Sequence, residues 1–241
     1  MKNKVTGIVL AAGKGSRMQM DTPKQFLEVE GRPILYYSLC AFAQSTVDNI
    51  ILVTRQEDIE YCRKDIVARY QIDKVTDIVA GGKERYWSVW NGLQACKDAD
   101  YVLIHDAARP CIRVERIEQS ITEVVKWDAC SLGVPVKDTI KQVDDDQFGI
   151  ATPPRSYLWQ IQTPQSFAYR QLVQAYERLK QDDATDITDD TMIVERYLNR
   201  KTKIIQGDYS NLKVTTPDDL ELVENFFKKI KKVVDIGVMR C

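Results

Sequence analysis

The chain has 241 residues, 44% of them hydrophobic and 29% charged, and its 34 basic and 35 acidic residues leave a formal net charge of −1. This balance argues against a broad nucleic-acid interface, which requires a basic surface, but it permits a local basic pocket for a small phosphorylated ligand. The chain shows no signal-peptide pattern and no apolar run near the ~18 residues that a bilayer crossing requires. We therefore expect a cytoplasmic protein with no membrane or nucleic-acid partner.

The cysteine pattern does not suggest a zinc site. The six cysteines include no C-x-x-C pair, and the chain has one histidine, His105. Structural zinc sites need four Cys or His ligands at close spacings, which this sequence does not offer.

Short β-branched runs alternate with helical patterns along most of the chain. Strands are predicted at 6–13, 49–55, 75–82, 101–110, 129–136 and 203–207, and helices at 33–45, 57–70, 85–97, 113–127, 169–181 and 189–199. The strands are nearly continuous apolar runs, which is typical of a parallel sheet covered on both faces. The repeated β–α–β units predict an α/β, Rossmann-like fold with a mainly parallel sheet and helices on both faces.

The pattern changes over residues 136–167, which contain strand-like pieces and no helical period. This segment predicts an antiparallel β-arm that protrudes from the sheet. The last helix has a clear start, with Thr216 as N-cap, Pro217 at the first position and Asp219 completing a variant capping box. The simplest organisation is one domain over residues 1–230, arm included, and a tail over 231–241.

Four polar stretches follow predicted strands, at 11–24, 81–88, 105–110 and 207–213. In open parallel sheets, ligands bind beyond the carboxyl ends of the strands. We therefore expect these stretches to meet at one rim and to form a single active site.

The first stretch includes the segment VLAAGKGSRM, which is glycine-rich but fits neither common phosphate loop. A Walker A loop has four residues between its glycines, whereas five separate Gly7 from Gly13. A dinucleotide fingerprint that began at Gly13 would require glycine at the position of Met18. The failed fingerprint also disfavours a dehydrogenase.

What remains is a G-x-G-x-R pattern with Lys24 seven residues after Arg17. This arrangement suits a nucleoside triphosphate, because glycines let backbone N–H groups reach phosphate oxygens while the two cations neutralise charge. The alternative interpretation is a glycine turn with two exposed cations.

The segment HDAARP places a carboxylate and an arginine just after a strand. Asp106 suits Mg²⁺ and Arg109 suits a phosphate; alternatively, Asp106 caps the following turn and pairs with Arg109. We interpret His105 as structural rather than catalytic. Lys213 is either a site residue or a strand-edge lysine.

A second acidic segment, TDITDDT, contains Asp186, Asp189 and Asp190. We interpret these residues as N-terminal capping of a helix rather than as metal ligands, because acidic residues suit the first turn of a helix.

In combination, six motifs resemble the 2-C-methyl-D-erythritol 4-phosphate cytidylyltransferase family over about residues 4–228. They are AAGKGSRM followed by PKQ, GGKERYWSV, HDAARP, PVKDTIK, WQIQTPQ and LKVTTPDDL, in that order. The resemblance implies a Mg²⁺-dependent reaction of CTP with methylerythritol phosphate, which yields a CDP-linked product and pyrophosphate in isoprenoid-precursor synthesis.

The resemblance also assigns roles to individual residues. It implies nucleotide binding by Ala11, Ala12, Gly13, Gly15, Gly82 and Ser88, and stabilisation of the pentacoordinate α-phosphate by Arg17 and Lys24. It implies that Asp106 ligates Mg²⁺ or a sugar hydroxyl and that Arg109 and the catalytic Lys213 hold the sugar phosphate. It further implies that Thr139, Arg155 and Thr163 lie on an arm that reaches the neighbouring subunit's site, which would make a homodimer obligatory.

Two positions depart from the family pattern: Leu10 stands where proline is common, and Lys83 where an acidic residue is common. The nearest rival function is that of a ribitol 5-phosphate cytidylyltransferase; Ala108 and the arm sequence favour methylerythritol phosphate. A non-catalytic nucleotide-binding protein of the same fold is a more distant alternative, which the combination of site residues argues against.

Overall fold

The computed structural model describes residues 2–13, 22–96, 98–182 and 186–233. The strands are β1 (Val5–Ala11), β2 (Glu28–Val29), β3 (Arg32–Pro33), β4 (Asn49–Thr54), β5 (Val75–Ala80), β6 (Tyr101–Asp106), β7 (Ala129–Pro135), β8 (Gln142–Val143), β9 (Gly149–Ala151), β10 (Trp159–Ala168) and β11 (Lys203–Gln206). The helices are α1 (Ile34–Gln44), α2 (Ile59–Tyr61, continued as π-helix over Cys62–Ala68), α3 (Arg85–Ala95), α4 (Val114–Trp127), α5 (Tyr169–Leu179), α6 (Asp190–Leu198) and α7 (Pro217–Val233).

Within these ranges, seven strands form the main sheet in the order β11-β7-β10-β6-β1-β4-β5. The β1–β4, β1–β6, β4–β5 and β7–β11 pairs are parallel, and β10 is antiparallel to both of its neighbours. The predicted α/β class with a mainly parallel sheet is confirmed. Of the helices in the described ranges, none combines the length and apolar character that a membrane crossing requires.

Helices cover both faces of the sheet. Successive strand residues point to opposite faces, and apolar residues on each face pack against helices. Val9, Ile50 and Leu52 belong to one apolar cluster, which includes side chains of α1, α4 and α7. Ile8 and Ile51 belong to the other, which includes side chains of α3, α5 and α6. The nearly continuous apolar strands of the sequence therefore supply two cores.

The position of β10 differs from the prediction. Residues 159–167 were assigned to a protruding arm, but β10 lies inside the sheet, between β6 and β7. Its polar residues Gln162, Thr163 and Gln165 are buried. They pair with other polar groups near the rim, so their polarity does not indicate exposure to solvent.

The segment that does protrude is residues 136–158, which we call the arm below. It contains the antiparallel β8–β9 hairpin, and its residues from 137 to 151 are all exposed. The predicted antiparallel β-arm is therefore present, but it is shorter than expected.

Two predicted helix starts are confirmed. The Asp189 side chain caps α6 by accepting a hydrogen bond from the backbone N–H of Met192. At α7, the Asp219 carboxylate accepts hydrogen bonds from the backbone N–H and the hydroxyl of Thr216. The predicted tail lies outside the described residues from position 234 onward.

Candidate active site

The carboxyl ends of β1, β5 and β6 surround a cleft of about 500 Å³, which we call the larger cavity. Its lining comprises Leu10, Ala11, Ala12, Gly13, Lys24, Gln25, Arg55, Gln56, Glu57, Gly81, Gly82, Lys83, Glu84, Arg85, Ser88, Asp106, Ala108 and Lys213. All four predicted polar stretches contribute to this lining. Leu10 lies opposite Asp106 because β1 and β6 are adjacent parallel strands.

Two glycine turns form one wall of the larger cavity. A Cβ on Gly81 would lie 2.4 Å from the Cβ of Ala12, so a larger residue would not fit between the two turns. The Gly82 N–H donates to Ser88 Oγ at 3.1 Å, and this hydroxyl donates to the carbonyl of Glu84 at 3.2 Å. These contacts fix the second turn where Gly81, Gly82 and Ser88 line the cavity.

Most residues expected to bind the nucleotide line this cavity. Ala11, Ala12, Gly13, Gly82 and Ser88 are among its lining residues. Two of the predicted residues, Gly15 and Arg17, lie outside the described residues.

Lys24 follows the opening loop and also lines the larger cavity. Its Nζ donates to the carbonyl of Val214 at 3.0 Å. This contact connects the first strand's loop to the segment that carries Lys213, which lies next to Val214 in the chain.

Asp106 lies at the centre of the rim, between two cations. Its Oδ1 accepts from Arg85 Nε at 3.1 Å, and its Oδ2 contacts Lys213 Nζ at 2.7 Å. Burial favours the neutral carboxyl, but the Arg85 and Lys213 charges outweigh burial and hold the pKa of Asp106 well below its usual range. Asp106 is therefore a carboxylate at neutral pH.

A smaller cavity of about 230 Å³ adjoins the larger one. Its lining comprises Arg85, Asp106, Arg109, Ile161, Gln162, Thr163, Gln165, Thr188, Asp189 and Lys213. Arg85, Asp106 and Lys213 line both cavities. These three side chains therefore mark the junction at which two bound molecules would meet.

Arg109 is held at the wall of the smaller cavity by backbone carbonyls. Its Nη1 donates to Asn211 O at 2.8 Å, and its Nη2 lies 3.5 Å from Ile161 O. In the described part of the chain its buried Nε has no hydrogen-bond partner. The Asp106 carboxylate pairs with Arg85 and Lys213, so the alternative in which it pairs with Arg109 is wrong.

His105 is fully buried beneath the rim. Burial lowers its pKa from 6.5 to about 4, so the ring is neutral at physiological pH. The Thr163 hydroxyl accepts a hydrogen bond from the Asp106 N–H at 3.1 Å and lies 2.9 Å from His105 Nδ1. With the hydroxyl proton directed to Nδ1, the Nε2–H points to the carbonyl of Arg109 at 3.3 Å. This geometry fits a structural role for His105.

The residues predicted for the arm divide into two groups. Thr163 belongs to β10 and contacts Asp106 of its own chain, so its placement on the arm was wrong. Thr139 and Arg155 do lie on the arm and are exposed. Arg155 donates to the carbonyl of Lys137 at 2.6 Å. Among the described residues that line the two cavities, neither Thr139 nor Arg155 is found.

The sequence analysis missed two charged residues of this site. Arg85, the first residue of α3, joins Asp106 to Asp190, to which its Nη1 donates at 2.8 Å. Asp190 is fully buried and is not only part of a helix start. A signal for Arg85 was available, because it follows a glycine pair at a strand's carboxyl end. None indicated its pairing with Asp190, 105 residues away.

Comparison with known proteins identifies the family of this chain. A family model described as IspD, 2-C-methyl-D-erythritol 4-phosphate cytidylyltransferase, matches residues 5–229. The chain is 51% identical to the 2-C-methyl-D-erythritol 4-phosphate cytidylyltransferase of Lachnospira eligens over 225 residues, which cover 92% of this chain and 99% of that protein. It is 42% identical to the protein of the same name from Caldanaerobacter subterraneus, over 93% of this chain and 99% of the relative.

A solved structure agrees with these relatives. The crystal structure of 4-diphosphocytidyl-2C-methyl-D-erythritol synthase from Anaerococcus prevotii superposes with a TM-score of 0.82 at 32% identity, covering 94% of this chain and 96% of that one. The chain belongs to the 2-C-methyl-D-erythritol 4-phosphate cytidylyltransferase family.

Proposed function

We propose that this protein transfers CMP from CTP to 2-C-methyl-D-erythritol 4-phosphate and releases pyrophosphate, a step in isoprenoid-precursor synthesis in the cytoplasm. The observation that carries the proposal is the junction of the two cavities at Arg85, Asp106 and Lys213. The larger cavity, with its two glycine turns, takes the nucleotide. The smaller cavity, with Arg109 and Lys213, takes the acceptor phosphate.

The reaction is an in-line displacement at the α-phosphorus of CTP. An oxygen of the acceptor phosphate forms the new P–O bond, and the bond to the bridging oxygen breaks, so that pyrophosphate leaves with the electron pair. A phosphate monoester has a second pKa of about 6 and is mostly dianionic at neutral pH. The nucleophile therefore needs no general base, which agrees with the buried, neutral state of His105.

Catalysis in this site then consists of positioning and charge neutralisation. Lys24 and, by resemblance, Arg17 neutralise the charge that develops at the α-phosphate. Lys213 lies at the junction, 2.7 Å from Asp106, where it reaches the acceptor phosphate as well as the nucleotide. Arg109 lines the acceptor side and contributes a further positive charge.

We propose Mg²⁺ as the cofactor. Within the described part of the chain, no cluster of three or more His, Cys, Asp or Glu residues forms a metal cage. Mg²⁺ usually keeps several waters and binds through one or two carboxylates plus substrate phosphates. Asp106 fits that pattern, and Mg²⁺ bound to it and to the triphosphate would neutralise charge on the leaving pyrophosphate.

We also propose that the protein acts as a homodimer through the arm. Phe148, Ile150 and Tyr157 are 71%, 59% and 83% exposed, which is unusual for apolar side chains grouped on one short segment. Burial of these side chains against a second copy would bring Thr139 and Arg155 to the neighbouring subunit's acceptor phosphate.

The test is a pyrophosphate-release assay with CTP and Mg²⁺, run separately with methylerythritol phosphate and ribitol 5-phosphate. We expect release with methylerythritol phosphate and dependence on Mg²⁺. Release with ribitol 5-phosphate alone would show that ribitol 5-phosphate is the acceptor. Release with neither substrate would indicate a nucleotide-binding protein without this activity. The Arg109→Gln variant is the matched probe of the acceptor side and should raise the KM for the acceptor.

A further inference from the structure

Arg85 lies between two carboxylates that come from distant parts of the chain. Its Nε donates to Asp106 at 3.1 Å and its Nη1 to Asp190 at 2.8 Å. Two bonds through different nitrogens of one planar guanidinium fix both the position and the plane of the group. The orientation of the Asp106 carboxylate therefore depends on where Arg85 is held.

Asp190 holds Arg85 from the protein interior. The Tyr176 hydroxyl donates to Asp190 Oδ1 at 2.6 Å, and the Asp190 N–H donates to Gln165 Oε1 at 2.9 Å. Both Tyr176 and Asp190 are fully buried. Asp190 is therefore held by hydrogen bonds with Tyr176 and Gln165, and its described cationic partner is Arg85.

The network lies on the acceptor side of the junction. Gln165 lines the smaller cavity, as does Asp189, and the Gln165 side chain donates to Asp189 Oδ2 at 3.0 Å. Neither residue is part of the larger cavity's lining. Stability alone does not explain such a buried pair, because well-packed apolar residues of similar volume often stabilise a core as well.

We propose that Tyr176 and Asp190 are positioning residues that act through Arg85 to orient the Asp106 carboxylate toward the acceptor substrate. We refer to Tyr176, Asp190, Arg85 and Asp106 as the positioning chain. The inference rests on the proposed function for its assignment of the smaller cavity to the acceptor. It adds Tyr176 and Asp190, neither of which is among the described lining residues of the two cavities.

The test compares the variants Tyr176→Phe and Asp190→Asn in steady-state assays in which CTP and methylerythritol phosphate are varied separately. Loss of a hydrogen bond to a charged group should lower kcat/KM for the acceptor about 10- to 100-fold in Asp190→Asn and about tenfold in Tyr176→Phe. The KM for CTP should change less than the acceptor constants, because neither Tyr176 nor Asp190 lines the larger cavity and the smaller cavity lies next to Asp190.

The matched control is Tyr37→Phe. Tyr37 is also a buried tyrosine whose hydroxyl donates to an oxygen, in this case the carbonyl of Val29, but it lies outside both cavities. This variant should lose stability as Tyr176→Phe does while keeping wild-type kinetics. In a double-mutant cycle, Arg85→Lys and Asp190→Asn should be non-additive, since they interrupt the same chain of contacts.

Two results would overturn the proposal. If Tyr176→Phe lowers only the melting temperature and leaves all kinetic constants at wild-type values, the network is structural. If acceptor and CTP constants fall equally, the network does not act on the acceptor side. Should Asp190→Asn fail to fold, Tyr176→Phe decides alone, because it removes one oxygen atom. Absence of wild-type turnover with methylerythritol phosphate would instead refute the proposed function.

Discussion

The rim and the arm carry charged residues of the same types in opposite environments. At the rim, Asp106 is 7% exposed and both of its oxygens contact cations. On the arm, Arg155 is exposed, and the described hydrogen bond of its side chain is to the carbonyl of Lys137 within the arm itself. The rim is organised by contacts within its own chain, whereas the side chains of the arm are largely exposed.

The difference shows which part of the proposed site is fixed by contacts within one chain. Buried charges at the rim are held by partners from distant segments, so their positions are determined when the sheet forms. The arm has no core contacts over residues 137–151 that would fix its side chains in this way. Substitutions should therefore affect stability strongly at the rim and weakly on the arm.

The largest effect on stability is expected for Asp106→Asn, which leaves Arg85 and Lys213 without their shared carboxylate. Breaking a buried ion pair costs about 3–5 kcal/mol in the free energy of unfolding. Because the pKa of Asp106 is lower in the folded protein than its unfolded value of about 3.9, this stabilisation is complete above that pH and is lost as the pH falls below it.

Urea unfolding at pH 7 and pH 3 measures this difference. The matched control is Asp145→Asn on the exposed arm, which should change stability by no more than about 0.5 kcal/mol. If both substitutions lower the free energy of unfolding equally, the proposed difference in stability between rim and arm is wrong.

The next effect is catalytic. Lys24→Gln should lower kcat by about 10²–10³-fold, as is usual when one electrostatic stabiliser of a transition state is removed. The KM for CTP should change little, and Lys2→Gln, at a lysine whose side chain is 78% exposed, should behave as wild type. A variant with raised KM and normal kcat would assign Lys24 to ground-state binding.

A third prediction concerns His105. Its pKa is lowered to about 4, so the unfolded chain binds a proton at a higher pH than the folded protein does. Stability should fall as the pH drops from 6.5 to about 4, by about 3 kcal/mol, since one pKa unit corresponds to about 1.4 kcal/mol.

The chain has one histidine, so its ring resonances can be followed by NMR without assignment of others. They should not titrate between pH 5.5 and pH 8, a range about the ordinary histidine pKa of 6.5. A midpoint near 6.5 would show that the ring is accessible to solvent.

The smallest effect on stability is expected on the arm. Phe148→Ser removes an apolar side chain that is 71% exposed, so the free energy of unfolding of one chain should change by less than about 0.5 kcal/mol. From the proposed assembly, sedimentation should nevertheless show a dimer for wild type and a monomer for this variant. Leu222→Ser, at a residue of α7 that is 56% exposed, is the control that should remain dimeric. If both variants remain dimeric, the arm does not form the dimer interface.

Much of this site could be predicted because the local pattern of an α/β chain determines where its strands end. Apolar runs placed the strands within a few residues, and the carboxyl ends of parallel strands meet at one edge, so Asp106 and Ser88 were expected near the glycine turns. The structure brings them to the same cavity.

The antiparallel strand β10 shows why local pattern was insufficient elsewhere. Its lack of a helical period suggested a protruding arm, yet Gln162 and Thr163 are buried. Asp208, Asn211 and Asp106 provide their hydrogen-bond partners. A polar residue is stable in the interior when its partners are present. Those partners lie more than forty positions away in the sequence.

By itself the sequence determined the α/β architecture, the edge of the sheet at which the site forms, and the motifs by which the family is identified. Only the tertiary structure decided which charges pair there. Arg85 and Asp190 are separated by 105 residues, and they meet because α3 and α6 pack on the same face of the sheet. Hydrophobic periodicity is a local property, whereas the partner of a buried charge depends on how the whole chain folds.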